Sequence, residues 1–275
     1  MAVPQPGMDA LTPRSSRVVA ARKLLRRRHR DGQGRFLVEG PQAVREALKY
    51  DGLVTELFAT AAVSQRHGEL IDAAESKGVK VKPVDDAAAA ALSDTVAPQG
   101  IIAVCGYIDR TEVQAGRLVI VLDGISDPGN AGTIVRTADA AGADAVIFPD
   151  NTVDPYNGKC VRSAAGSLFH VPIVRGGSSI AHIAKLRAGG ITVLAADAHA
   201  KYDLDAVIDD GLLKHPVAWL FGSEAHGLAP DVAREADMAV KVPIYGRAES
   251  LNLATAAAVC VYASARELRK GEPPT

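Results

Sequence analysis

Three short stretches hold the residue types that ligand chemistry needs, each where an apolar run gives way to glycine and polar side chains. The first, residues 123–137, reads DGISDPGNAGTIVRT and contains Asn130 and Arg136. The guanidinium of Arg136 is a permanent cation with five donors. The second, 219–228, reads WLFGSEAHGL and sets one carboxylate, Glu224, between Gly222 and Gly227. Glycines there let backbone amides approach a ligand closely. The third, 242–254, reads VPIYGRAESLNLA and offers Ser250 and Asn252 at the start of a long helical pattern. No stretch reads GxGxxG or GKS, so nucleotide phosphates are not the obvious ligand. Taken singly, each also has a plain structural reading. These are a helix cap with a surface Arg136–Asp139 pair, a tight turn, and a second helix cap.

Such residues need a scaffold that gathers them. Apolar runs at 118–122, 145–149, 171–174, 192–196 and 217–222 read as strands buried on both faces, and 238–244 is a sixth. Helical patterns fill the gaps at 131–141, 158–167, 179–188 and 231–236, and 250–270 is the longest. The alternation predicts a parallel-sheet α/β domain over 117–270, whose ligands sit beyond the carboxyl ends of the strands. All three stretches fall there. Asn130 is the expected N-cap of the first helix, whose Ile134, Ala138 and Ala141 face the core while Arg136 stands off that stripe. Ser250 is the expected N-cap of the last helix. Its Leu251, Ala254, Ala258, Val261, Ala265 and Leu268 form a seam suited to core or subunit packing.

Upstream, residues 15–30 read as one helix with Val18, Ala21 and Leu25 as its apolar stripe. Strand patterns at 35–39, 54–60, 79–84 and 100–108 alternate with helical ones at 41–50, 65–77 and 85–92, making a small α/β domain within 14–110. Residues 1–13 are rich in proline and glycine and are expected to be disordered, and polar 109–116 reads as the linker.

Composition narrows the partners. The chain has 275 residues, 48% apolar and 23% charged, which suits a soluble two-domain protein. No apolar run approaches the roughly 20 residues of a membrane span. The first residues lack the order of a secretory signal, so a cytoplasmic location is expected. Cys105, Cys160 and Cys260 form no CxxC pair and the histidines show no ligand spacing, so no metal is expected. Net charge is −1, yet nine cations against two acids put +7 on residues 1–35 and leave −8 on the rest. That block, with Arg22, Lys23, Arg26, Arg27, Arg28 and Arg30, suggests a polyanion partner, the alternative being a solvated tail.

In order and spacing the three stretches resemble the signature of the SpoU-type RNA ribose 2′-O-methyltransferases, TrmH-like members of the SPOUT superfamily. The motif N-x-G-x-x-x-R-T is matched by Asn130, Gly132, Arg136 and Thr137, and G-x-E-x-x-G-L by Gly222, Glu224, Gly227 and Leu228. P-x-x-G…S-L-N-x-A is matched by Pro243, Gly246, Ser250, Leu251, Asn252 and Ala254. Residues 33–108 resemble, more loosely, the small α/β/α ribosomal-protein-like substrate-binding domain often fused ahead of such enzymes. The resemblance implies a carboxy-terminal trefoil-knot methyltransferase domain and a homodimer. It implies S-adenosylmethionine held by Ala195, Gly222, Gly227, Val242, Leu251 and Asn252. It further implies catalysis by Arg136 on a ribose 2′-hydroxyl, with Asn130, Glu224, Ser250 and Asn252 orienting the groups. Arg136 would act as an electrostatic clamp or as a phosphate-assisted base. Ribosomal RNA is the first expected substrate and transfer RNA the second. A non-catalytic RNA-binding relative would be expected to lack Arg136, Glu224 or Asn252. A base-methylating enzyme would not be expected to combine Asn130 and Arg136 with Ser250 and Asn252.

Overall fold

The computed structural model describes residues 10–113 and 116–270. The chain divides into two compact units, one of residues up to 108 with 156–169, the other of 109–155 and 170 onward. The excursion at 156–169 departs from the sequence reading, which leaves it in the second domain. Its side chains complete the first unit. The buried ring of Tyr156 packs on Phe36 at 4.5 Å and stacks on Tyr107 at 4.2 Å between centroids. Arg162 pairs with Glu39 at 3.3 Å.

The first unit begins with α1 (Ser16–Arg22) and α2 (Arg27–Gln33), then β1 (Arg35–Glu39), α3 (Pro41–Leu48) and β2 (Val54–Ala59). It continues with α4 (Ala61–Arg66), α5 (Gly68–Ser76), β3 (Lys80–Pro83), α6 (Asp86–Ala91) and β4 (Ile101–Gly106). The sheet order is β1-β4-β2-β3, with β4 antiparallel to both neighbours and β3 parallel to β2. Val18, Leu24, Leu37, Phe58, Leu92 and Ile102 pack together in one core. Each such side chain removed from water contributes about 1.5–3 kcal/mol.

Four expectations are corrected in this unit. The single helix at 15–30 is broken at Arg26, whose backbone is extended, and a 3-10 turn spans Lys23–Leu25. The break is held by Arg30, which donates from Nη1 to the carbonyls of Leu24 and Leu25, each at 3.0 Å. Arg30 is therefore a buried structural residue rather than a surface cation for RNA, whereas Arg22, Lys23, Arg26, Arg27 and Arg28 are exposed. The helix expected at 65–77 is likewise two helices, α4 and α5, parted at His67. Of the segment expected to be disordered, residues 1–9 lie outside the described residues. Leu11 is ordered, since its N–H donates to Pro83 and its carbonyl accepts from Asp85.

The second unit contains β5 (Leu118–Leu122), α7 (Pro128–Ala140), β6 (Ala145–Phe148), β7 (Ile173–Arg175), α9 (Ser179–Ala188) and β8 (Thr192–Ala196). The helix α8 (Gly158–Ala164) lies in the excursion. Then come β9 (Tyr202–Asp203), α10 (Leu204–Asp209), β10 (Val217–Phe221), α11 (Pro230–Arg234), β11 (Met238–Lys241) and α12 (Leu253–Leu268). The strands form one parallel sheet in the order β7-β6-β5-β10-β8-β11-β9. β5, β6 and β10 are buried along their whole length, and Trp219 donates to the hydroxyl of Ser264 on α12 at 2.8 Å. β9 and α10 have no counterpart in the sequence reading, because a two-residue strand leaves no alternation to detect. Among the described residues no helix is long and apolar enough to cross a membrane. The three cysteines are buried and form no disulfide.

Candidate active site

β5, β8, β10 and β11 all end on one edge of the parallel sheet, and the segments after β8, β10 and β11 line a cleft of about 670 Å³ within the second unit. Ala195 comes from the end of β8, Gly222, Glu224 and Gly227 from the loop after β10, and Val242 from the segment after β11. Ser250, Leu251 and Asn252 close the wall just ahead of α12. Cleft lining thus joins residues up to 61 positions apart, from Ala195 to Ala256.

Two expected caps fall elsewhere, and both shifts release a side chain to the site. Asp127, not Asn130, caps α7, accepting from the Gly129 N–H at 2.8 Å ahead of Pro128. Asn130 lies inside the first turn, where Nδ2 donates to Glu224 at 3.0 Å and Oδ1 accepts from Asn252 Nδ2 at 3.3 Å. Asn252, not Ser250, caps α12, its Oδ1 accepting from the N–H groups of Ala254 and Thr255. Ser250 is left on the cleft wall. One hydrogen-bonded chain, Asn252–Asn130–Glu224, therefore ties the helices after β5 and β11 to the loop after β10.

Glu224 is further held by the N–H and hydroxyl of Ser126, each at 3.4 Å. Partial burial opposes its charged form. Hydrogen bonds from Asn130 and from the backbone of Glu224, Ser126 and Asp127 outweigh that, and hold the carboxyl below its ordinary range. The lowered value means these bonds stabilise the loop fully above the ordinary carboxylate range and lose strength only as the pH falls through the folded value. Ser126 was not singled out from the sequence. Neither were Asp197, His199 or Glu249 on the cleft wall, although Asp197 follows the end of β8 directly and the strand-end rule reaches it.

The loop after β10 closes on itself, with Ser223 and Gly227 exchanging two backbone hydrogen bonds of 2.9 Å. A Cβ on Gly222 would lie 2.3 Å from the Gly227 carbonyl carbon and 2.4 Å from the Leu228 nitrogen. The space at Gly222 is thus taken by the loop's own backbone. Gly227 has φ of +68°, a conformation side chains disfavour.

Arg136 stands apart from this cleft. It is exposed on α7, does not line the wall, and makes no hydrogen bond or ion pair among the described residues. Its expected surface partner Asp139 instead meets His170 Nδ1 at 2.9 Å. An exposed, uncommitted guanidinium suits an anionic or polar ligand.

Comparison with known proteins gives this arrangement a place. Residues 117–262 match the model of the SpoU rRNA methylase family, and 15–103 match that of the MRM3-like substrate binding domain. The chain is 36% identical to the 23S rRNA (guanosine(2553)-2′-O)-methyltransferase RlmP of Bacillus subtilis, over 88% of this chain and 92% of that one. Two solved structures, each 30% identical with TM-score 0.78, are also similar. An AdoMet-bound rRNA methyltransferase from Sinorhizobium meliloti covers 94% of this chain, which covers 98% of it. The SpoU methyltransferase AviRb from Streptomyces viridochromogenes, in complex with AdoMet, covers 92%, with 98% of that chain matched. Fold and cleft together define a two-unit α/β methyltransferase with its own substrate-binding domain. The chain belongs to the SpoU rRNA methylase family.

Proposed function

We propose that this protein transfers the methyl group of S-adenosylmethionine to a ribose 2′-hydroxyl of RNA, with large-subunit ribosomal RNA the first substrate to test and transfer RNA the second. The observation that carries this reading is the Asn252–Asn130–Glu224 chain beside a cleft of small side chains. The cleft fits the cofactor. Its 670 Å³ falls within the size of small-molecule sites, its Ala195, Val242 and Leu251 suit an adenosine moiety, and Asp197 and Glu249 suit a cationic ligand. Once bound, S-adenosylmethionine supplies an electrophilic methyl carbon.

The chain's own residues do the rest. Ala195, Gly222, Gly227, Val242, Leu251 and Asn252 would hold the adenosine moiety with the loop closed. Ser250 and Asn252 would orient the acceptor ribose, and Glu224 would fix Asn130. A guanidinium stays protonated in proteins, so Arg136 would serve as a clamp on the developing alkoxide and the neighbouring phosphate, while the hydroxyl proton would pass to that phosphate oxygen or to water as the C–O bond forms and the sulfur–methyl bond breaks. Alignment of hydroxyl and methyl in a site with little water accounts for several kcal/mol of barrier lowering. The direct test replaces the target nucleotide by its 2′-deoxy form. Loss of methylation is expected, and continued methylation would assign the acceptor to a base atom.

The same reading includes a homodimer, a trefoil knot in the carboxy-terminal unit and a cytoplasmic location. The position of Arg136 outside this protomer's cleft supports a site completed by a second copy. α7 and α12 pack together, and their outward faces carry Thr133, Arg136, Val259 and Tyr262. Sedimentation at micromolar concentration is expected to give about twice the 28.7 kDa chain mass, and an active monomer would remove the shared site.

The exposed cations Arg22, Lys23, Arg26, Arg27 and Arg28 are assigned to phosphate contacts. Val18, Ala21 and Leu24 of the same segment are core, so the test is substitution rather than deletion. Changing the five cations to glutamine should weaken RNA binding and flatten its log-salt slope by about 3 to 4 units, while cofactor affinity holds. Equal slopes would leave them as a solvated face.

A further inference from the structure

The segment between β11 and α12 forms one lip of the cleft, with Val242, Ile244 and Glu249 on the wall. Between them stand Tyr245, Gly246 and Arg247, all exposed. Tyr245 is 87% exposed, the most exposed aromatic ring among the described residues. Leaving a ring in water forfeits the stabilisation its burial would bring. This ring is nonetheless held in place, because its hydroxyl donates to Asp205 Oδ2 in the first turn of α10 at 2.7 Å. The anchor lies at the ring's polar end, so the faces are left bare.

Its neighbours keep the place open. A Cβ on Gly246 would meet nothing within 4 Å. Arg247 makes no hydrogen bond or ion pair among the described residues. A fixed, bare aromatic face beside an uncommitted guanidinium is the surface that unstacked bases use, with the ring under the base and the cation on the backbone. The other exposed tyrosines differ. Tyr50 also has an anchored hydroxyl, on the Phe169 carbonyl, but its ring lies against Phe169 at 6.5 Å between centroids and does not line the cleft wall. Tyr202 has the Lys201 ammonium over its ring at 5.4 Å, and Tyr262 lies on the outer face of α12.

Resting on the methyltransferase reading above, we propose that Tyr245 is a specificity-determining stacking platform for an unpaired RNA base at the mouth of the cleft, with Arg247 as its phosphate contact. The target ribose can enter the cleft only if its nucleotide leaves a helical stack, and Tyr245 replaces the lost stacking partner. Tyr245 is a positioning residue for RNA and takes no part in methyl transfer.

The test compares Tyr245→Phe, Tyr245→Leu and Tyr245→Ala in the full chain. The substrate is large-subunit ribosomal RNA from cells lacking the gene, and S-adenosylmethionine affinity is followed by calorimetry. Alanine and leucine should each raise KM for RNA by about tenfold, with kcat within about twofold and cofactor affinity retained. Phenylalanine, which keeps the ring and loses only the Asp205 bond, should restore KM to within about threefold of the parent. Leucine fills a similar volume, so its failure separates stacking from packing. A parallel titration uses single-stranded RNA containing 2-aminopurine, whose fluorescence is quenched on stacking. Quenching should survive in phenylalanine and fall in leucine and alanine. Unchanged KM or quenching in the alanine variant, rescue by leucine equal to that by phenylalanine, or a changed sedimentation mass in the alanine variant would overturn the platform. Absence of methyl transfer by the parent protein overturns the enzymatic reading separately, and the quenching titration then still decides the platform.

Discussion

Replacing Arg136 by alanine is expected to lower methyl transfer by on the order of 100-fold or more, the loss that follows removal of one donor to a developing oxyanion. Fold and cofactor affinity should persist. Arg136 is exposed on α7, contributes nothing to the core, and does not line the cleft. Lysine should fail almost as badly, because a point charge cannot reproduce the planar fork that spans an oxyanion and a phosphate. Single-turnover transfer with saturating S-adenosylmethionine reads the chemical step directly. Near-parent turnover in Arg136→Ala would remove the clamp, and rescue by lysine would reduce it to simple charge attraction. Mixing inactive Arg136→Ala with a cofactor-binding mutant adds a second readout. Partial recovery of activity is expected if Arg136 serves the cleft of the other subunit, and none if each protomer is self-sufficient.

Replacing Gly222 is the other change with a large expected effect, and its cause lies in the loop itself. The added Cβ would sit 2.3 Å from the backbone at Gly227, and backbone cannot swing aside as a side chain can. The paired 2.9 Å bonds between Ser223 and Gly227 would have to open, carrying Glu224 away from Asn130. Overpacking of this kind costs about 1–3 kcal/mol. At about 1.4 kcal/mol per tenfold, S-adenosylmethionine should bind roughly 10- to 100-fold more weakly. Alanine should suffice, since the clash begins at Cβ, and valine should be worse. Gly227 differs, because nothing lies within 4 Å of its Cβ and only its φ of +68° resists substitution, so Gly227→Asn should be tolerated better than Gly222→Ala. Calorimetric titration giving parent affinity in folded Gly222→Ala would show that the loop is not what closes the cleft.

Much of this architecture was legible in the sequence because the physics involved is local. β1, β5 and β8 have the limits expected from the sequence, and β5 shows why most plainly, since a strand buried on both faces must be apolar throughout. The placement of Ala195, Gly222, Glu224, Val242, Ser250, Leu251 and Asn252 around one cleft followed from the rule that parallel sheets bind ligands at their carboxyl edge. What local pattern could not decide was where side chains capable of two roles would spend their hydrogen bonds. Asn130 and Ser250 both read as caps, yet Asp127 and Asn252 take those positions, because a proline at the first helical position and paired N–H groups select them. Arg30 reads as one more surface cation, yet it turns inward to satisfy two carbonyls at a helix break. The excursion at 156–169 joins the first unit because Tyr156 and Arg162 find their partners, Phe36 and Glu39, more than a hundred residues away. Apolar periodicity and strand-end chemistry are properties of neighbouring residues, so the sequence by itself determined the strands, the parallel sheet and the edge where the cleft lies. Competition among distant donors and acceptors is settled only when the chain closes, and so the tertiary structure alone decided which polar groups hold the fold and which are left facing the cleft.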